Sequence, residues 1–167
     1  MADAFSVYLG MNAKLYIGGK VFGNVKDVTV NFSRATADVT TRSNDGGQAN
    51  VGTLREATVS FRMIRFGGDD DRANDATKII KAFTSNGEDS LLKAAVLDAE
   101  PNNGGEGVFG DWSVTSCNRS EALEDAVTYD VELSLTRYLG WYSDGTADLS
   151  PSAPEGLNIS DYIPSGN

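Results

Sequence analysis

The sequence predicts a mainly β domain, either a β-barrel or a β-sandwich, with one α-helix packed on its outside. Three stretches in which apolar and polar residues alternate predict the strands, and one stretch of apolar residues at helical spacing predicts the helix. The 167 residues are the length of one ordinary domain, and 40% apolar content can build a core. We assign residues 1–145 to this domain and residues 146–167 to an extended or flexible C-terminal arm.

The three alternating stretches, within residues 25–34, 55–65 and 127–137, have the period of a sheet with one buried face and one wet face. Their apolar positions predict the core, and their polar positions predict one exposed face. These polar candidates are Asp27, Thr29, Asn31, Glu56, Thr58, Ser60, Arg62, Asp130, Glu132 and Ser134.

The helix is predicted at about residues 74–85, where Ala76, Ile79, Ile80 and Phe83 recur at i, i+3, i+4 and i+7. Three further segments, residues 13–18, 90–98 and 108–117, are predicted to be strands. The order of strands, one helix and more strands favours a barrel or sandwich with the helix on its surface.

The segment "TRSNDGGQANVGTL", residues 41–54, joins two predicted strands and is much longer than a tight hairpin turn. A polar, glycine-rich loop of this length loses much backbone entropy when it becomes ordered. It is therefore either disordered or held by something outside its own domain. Its hydrogen-bonding side chains are Arg42, Asn44, Asp45, Gln48 and Asn50.

Composition argues against several classes of function. The net charge of −10 disfavours nucleic-acid binding through counterion release. The absence of histidine removes the commonest general base and metal ligand, and Cys117 is the sole thiol.

Two motif-like stretches do not fit their motifs. "GEGVFG" at residues 105–110 has the glycine spacing of a dinucleotide-binding loop but precedes a strand and opens no helix. The acidic run at 69–75 lacks the ligand spacing of a calcium-binding loop. We expect no catalytic residue, no cofactor, no metal and no membrane span, in a chain made and folded in a cytoplasm.

Two other functions remain open at this level. A carbohydrate-binding β-sandwich would also be acidic and rich in turns, although Trp141 and Tyr142 are adjacent where a binding platform needs spaced aromatic residues. A hydrolase with paired carboxylates would use Asp130 and Glu132, which share one strand face about 7 Å apart.

Residues 37–61, "ADVTTRSNDGGQANVGTLREATVSF", resemble the strand, long polar loop and return strand of the major tail tube proteins of long-tailed bacteriophages. Residues 109–136, which contain "NRSEALEDAVTYDVEL", are similar to the closing pair of strands in that family. The helix falls where the family has its flanking helix, and the resemblance covers roughly residues 13–137.

The resemblance implies a subunit that forms hexameric rings, which stack into the hollow tube that conducts DNA during ejection into the host. It implies a structural virion protein that is assembled in the host cytoplasm. Its partners would be other copies of itself, tail tip or baseplate and terminator proteins, a tape measure protein in the lumen and, in a contractile tail, a sheath protein.

In such a tube the ten polar candidates would face the lumen, where four carboxylates against Arg62 give a net charge of −3 per subunit that would repel passing DNA. The alternative is that these charges only solvate an outer face. The loop at 41–54 would contact another subunit or ring. The C-terminal arm would make further contacts through Tyr162 and Ile163.

Overall fold

The computed structural model describes residues 13–41, 47–68 and 71–165. In these ranges the chain forms eight β-strands and one α-helix, which confirms the predicted mainly β class. The elements are β1 (Lys14–Ile17), β2 (Lys20–Val21), β3 (Val25–Asp38), β4 (Asn50–Ile64), α1 (Asp71–Thr84), β5 (Leu91–Leu97), β6 (Gly107–Ser120), β7 (Thr128–Ser143) and β8 (Thr146–Leu149).

The strands form one antiparallel sheet in the order β2-β1-β5-β6-β7-β4-β3, with β8 added on β7. The sheet folds over on itself, because Leu15 and Ile17 of β1 share an apolar cluster with Val59 and Phe61 of β4 at the other end of the sheet. The ring centroids of Phe22 and Phe61 lie 6.0 Å apart across this fold. The architecture is therefore a sandwich made from one bent sheet.

β7 is the strand that belongs to both halves of the sandwich. Along one edge it pairs with β6 over almost its whole length. Along the other edge its residues 128–134 pair with β4, and its residues 140–143 pair with β8. The sheet therefore divides beside residues 135–139 of β7, where β4 and β8 diverge.

α1 packs on the apolar side of the sheet through Ala76, Ile79 and Ala82, which are buried in the main apolar cluster. The helix begins at Asp71, earlier than the predicted residue 74, and ends at Thr84. The predicted stripe is wrong at one position, because Phe83 is 48% exposed while Ala82 is buried. Position 83 lies on the same side of the helix as Ala76 and Ile79, but it is the penultimate residue of α1, where the last turn leaves the sheet.

A second apolar cluster lies on the opposite side of β1, β5, β6 and β7, and the C-terminal segment covers it. Its members from the sheet include Tyr16, Leu97 and Phe109. Tyr162 and Ile163 complete the cluster, and each is only 2% exposed.

This packing corrects two predictions about the C-terminal residues. Residues 146–149 form β8, and residues 150–165 fold back onto their own sheet, so that they are not an extended or flexible arm. Tyr162 and Ile163 are core residues of their own subunit, and their burial leaves them unable to anchor an arm on a neighbour. A few apolar anchors outweigh the proline-rich, turn-forming composition of this segment.

Polar contacts fix the same segment. The Tyr162 hydroxyl donates a hydrogen bond to the buried Asp111 carboxylate over 2.8 Å, and Arg137 Nη1 lies 3.3 Å from the same carboxylate. Lys93 Nζ lies 3.1 Å from an Asp161 carboxylate oxygen. Burial, followed by the hydrogen bond to Asp111, raises the pKa of Tyr162, and burial raises the pKa of Tyr16 to about 12.

We expect Tyr162→Ala to lower the free energy of unfolding by about 3 kcal/mol, because it removes a buried aromatic ring and leaves a cavity. Chemical denaturation followed by fluorescence measures this change. Glu155→Ala, at an exposed position of the same segment, is the control and should change stability by less than about 0.5 kcal/mol. Equal stability of both variants and the parent would show that the segment does not pack on the sheet.

The two raised tyrosine pKa values also predict an alkaline loss of stability. Both side chains have an ordinary pKa of 10.0, and burial favours their neutral form in the folded state. Their contribution is therefore complete below about pH 10 and declines as the pH rises above this value. Tyr162→Phe should flatten the decline in unfolding free energy measured between pH 9 and pH 12, and an unchanged slope would contradict the assignment.

Candidate functional site

The strands β6, β7, β4 and β3 form the four-stranded half of the sheet. One side of this half is lined with polar side chains, and we call it the polar face. It comprises the ten polar candidates that the sequence predicts, and the strand register brings them together. Thr29 lies opposite Ser60, and Ser60 lies opposite Glu132 on the next strand. The apolar residues that alternate with them point into the main cluster on the other side of the sheet.

The charges of this face are arranged around Arg62. Its Nε lies 2.9 Å from the Asp130 carboxylate, and both side chains are about half exposed. The hydrogen bond and the charge of Asp130 raise the pKa of Arg62, and Asp27 contributes to the same shift. Asp27 adopts a positive φ of 54° at a β-bulge, which places it in the same shallow depression as Arg62 and Asp130.

The bulge at Asp27 brings Lys26 onto the polar face, directly opposite Arg62. Strict alternation along β3 would place Lys26 on the apolar face. The net charge of the polar face on these strands is therefore −2, from four carboxylates (Asp27, Glu56, Asp130 and Glu132) and two cations (Lys26 and Arg62). Strict alternation excludes Lys26 and gives −3.

β6 adds a fourth polar strand that the sequence did not reveal. Ser116 lies opposite Glu132, and Asn118 lies opposite Asp130. A register shift between Val114 and Ser116 interrupts the alternation of β6. A bulge of this kind breaks the period on which sequence patterns depend, so only the structure shows that Ser116 and Asn118 belong to the face.

Among the described residues, neither outer edge of the half formed by β6, β7, β4 and β3 has a strand partner along its full length. β3 pairs only with β4, and β6 pairs with β5 only through residues 107–113. Residues 114–120 of β6 therefore have a strand partner on one side only, among the residues that the structure describes. Open backbone edges of this kind are templates for pairing with another chain.

Two backbone hydrogen bonds show which residues direct their N–H and C=O groups to these open edges. The Arg65 N–H donates to the Val127 carbonyl over 2.9 Å, and the Ile64 N–H donates to the Asn24 carbonyl over 3.0 Å. The backbone N–H and C=O groups of successive residues in a strand point to opposite edges. The two hydrogen bonds and the pairing of β3, β4, β7 and β6 therefore fix the edge to which each residue directs these groups. The groups on the open edges belong to Val30 and Phe32 of β3 and to Cys117 and Arg119 of β6.

Beyond the point where β4 leaves β7, β3 and β4 continue as a two-stranded ribbon, residues 34–38 and 50–55, in which the two strands pair with each other and with no other described strand. The connecting loop is shorter than predicted, because Asn50 and the residues after it belong to β4. Gln48 is exposed in the loop. The other predicted contact residues, Arg42, Asn44 and Asp45, lie outside the described residues.

An apolar groove of about 350 Å³ opens where the ribbon leaves β7. We call it the ribbon groove; its apolar lining is Phe32, Ala57, Val108, Leu135, Tyr138 and Trp141. The Phe32 and Trp141 rings lie 6.0 Å apart. Tyr142 is buried in the second cluster on the other side of β7, so Trp141 and Tyr142 do not form a joint platform for a sugar.

The described residues hold no cluster of three acidic or cysteine side chains that could bind a metal ion. Nor does this part of the chain contain a helix long and apolar enough to cross a bilayer. Asp130 and Glu132 do share the polar face, as predicted, but Asp130 is engaged by the Arg62 guanidinium. The arrangement presents backbone edges and polar side chains for contact.

No protein-family model matches the chain, and no curated protein sequence matches it. Solved structures do match its fold. A chain of the tail of an empty gene transfer agent particle, refined with C6 helical symmetry, superimposes with a TM-score of 0.56 at 18% identity, covering 86% of this chain and 99% of that chain. A chain of the native gene transfer agent virion gives a TM-score of 0.58 at 16% identity, with the same coverage of 86% and 99%.

The SPP1 tail tube structure gives a TM-score of 0.56 at 15% identity and covers 95% of this chain and 99% of that chain. The fold that the sequence resemblance implied is thus confirmed over most of the chain. The match extends beyond the roughly 13–137 range on which the resemblance was based.

We expect charges of the polar face to contribute little to the stability of the subunit. Asp130→Asn removes one partner of a half-exposed ion pair, and solvent screening leaves such pairs little effect on the free energy of unfolding. Val131→Ala, the next residue on the buried side of the same strand, should cost about 2 kcal/mol. A large loss of unfolding free energy in Asp130→Asn, measured by chemical denaturation, would contradict a role limited to contact and charge.

Proposed function

We propose that this chain is a structural subunit that assembles into hexameric rings, which stack into the hollow tail tube of a phage-like particle. The observation that carries the proposal is the four-stranded sheet with one polar face and two open edges. The fold shared with a tail of C6 symmetry supports six copies in each ring. The function needs no catalytic residue or cofactor.

Ring closure follows from the direction of the strands. β6, β7, β4 and β3 alternate in direction, so β3 of one subunit and β6 of the next meet in antiparallel orientation. Four strands from each of six subunits make a barrel of 24 strands without a free edge. At a spacing of about 4.8 Å and a tilt of about 40°, its backbone diameter is about 50 Å, which leaves room for a DNA duplex.

The polar face would line the lumen of this barrel. Its opposite side is occupied by the main apolar cluster and by α1, so only the polar face is free to meet water inside the tube. With a net charge of −2 per subunit on these strands, six subunits give a net charge of −12 in each ring. Repulsion between these charges and DNA phosphates would let DNA pass without tight binding.

The ribbon and its loop would contact another subunit or ring. Gln48 and Asn50 are exposed there, and the same role is proposed for Arg42, Asn44 and Asp45. The subunit would belong to the virion tail after assembly in the host cytoplasm. Tail tip or baseplate, terminator and tape measure proteins would be its partners, with a sheath protein where the tail contracts.

Negative-stain microscopy of the purified chain should show hollow tubes of uniform width, and Arg119→Pro should abolish them. Proline removes an N–H that points to the open edge of β6 and leaves the pairing of β6 with β7 intact. Arg119→Ala is the matched control, because it also removes the contact of Arg119 with Glu121 but retains the N–H. It should form tubes.

Circular dichroism and thermal unfolding should show that both variants fold. Tubes from a folded Arg119→Pro variant would show that this edge does not join subunits. A parent chain that stays monomeric at high concentration would overturn the proposed function itself.

A further inference from the structure

Leu123 is the most exposed large apolar side chain in the described residues, at 102% of its reference area. It lies in the loop of residues 121–127, which connects β6 to β7 and is longer than a tight hairpin needs. Glu121, Glu124 and Asp125 surround it in sequence, so the loop presents one apolar side chain among acidic groups. We call residues 121–127 the acidic loop.

The ribbon groove has the complementary character. Its lining is mostly apolar, with Arg34 and Arg55 on its rim and Glu56 as its one carboxylate, so that its charged residues give a net charge of +1. These two arginines are directly opposite each other in the β3–β4 register. Like charges at such a cross-strand position repel, so an acidic group placed between them would stabilise the ribbon.

The contacts of both arginines hold them at this rim. Arg34 donates to the Gly52 carbonyl over 3.0 Å, and the Arg55 guanidinium lies 5.1 Å from the centre of the Tyr138 ring. Both arginines are exposed residues. The groove is therefore an apolar depression in which two arginines outnumber the single carboxylate of Glu56.

The acidic loop and the ribbon groove lie toward opposite ends of the same sheet. The loop follows Ser120 and precedes Thr128, whereas the groove begins at Leu135, about 23 Å further along β7 at the rise of a strand. The loop therefore does not reach the groove of its own subunit. A second copy stacked end to end in the same orientation brings its acidic loop toward the groove.

We infer that the acidic loop of one copy docks in the ribbon groove of a copy in the adjacent ring, with Leu123 inserted among the apolar side chains. Glu124 and Asp125 then face Arg34 and Arg55. This inference rests on the proposed tube and specifies one contact that joins its rings. The occupant of the groove is a second copy of this chain, because apolar surface and charge complement each other on the two surfaces.

Disulfide cross-linking tests the contact. In a Cys117→Ala background, Leu123→Cys and Phe32→Cys are combined, and assembled tubes are oxidised and run on a non-reducing denaturing gel. Cross-links between rings should give covalent chains of more than six copies, because they run along the tube. Leu123→Cys combined with Phe83→Cys, an exposed site on α1, is the matched control and should give no such ladder.

A second variant tests the energetic role of the same side chain. Leu123→Ser should raise the concentration at which half of the subunits are in tubes by about tenfold or more, with isolated hexameric rings still visible. Leu149→Ser, another exposed apolar site, should leave this concentration unchanged.

The outcomes distinguish failure of the proposed contact between rings from failure of the proposed tube. Normal tubes from Leu123→Ser, or a ladder that stops at six copies, would overturn the contact while the proposed tube stands. Absence of rings and tubes from the parent chain would overturn both. A ladder beyond six copies together with isolated rings from Leu123→Ser would support both.

Discussion

The backbone hydrogen bonds of β7 are the constraint on which the rest of this structure depends. β7 pairs with β6 on one side along most of its length, but on the other side it changes partner from β4 to β8. The change of partner divides the sheet into a half with one wet face and a half with two buried faces. The ribbon, its groove and the two open edges all lie in or beside the wet half.

The two halves meet different requirements. The half that contains β1 and β5 is covered on one side by the main cluster and on the other by the C-terminal segment, with Tyr162 and Ile163 in its second core. This half supplies stability that a single subunit can reach alone. In the described residues, the half that contains β3 and β4 leaves backbone groups of its outer edges without a strand partner, and such groups are satisfied when another strand pairs with them.

The sequence predicted those parts of the fold in which burial is one-sided and regular. Val59 and Leu133 alternate with polar neighbours because each strand has one wet face, and the polar candidates therefore share a face as expected. Lys26 was missed because the backbone of Asp27 takes a left-handed conformation, which the alternation of apolar and polar residues does not indicate. Ser116 and Asn118 were missed for the related reason that β6 contains a bulge.

The C-terminal segment escaped prediction for a different reason. Its burial depends on a few long-range contacts, such as the hydrogen bond from Tyr162 to Asp111, and proline-rich sequence carries no period that would indicate them. Because Tyr162 and Ile163 are buried in their own core, the contact that we propose between rings uses other apolar surface, the ribbon groove and Leu123. A contact built from one leucine and exposed charges is individually weak, and six copies in each ring would multiply it.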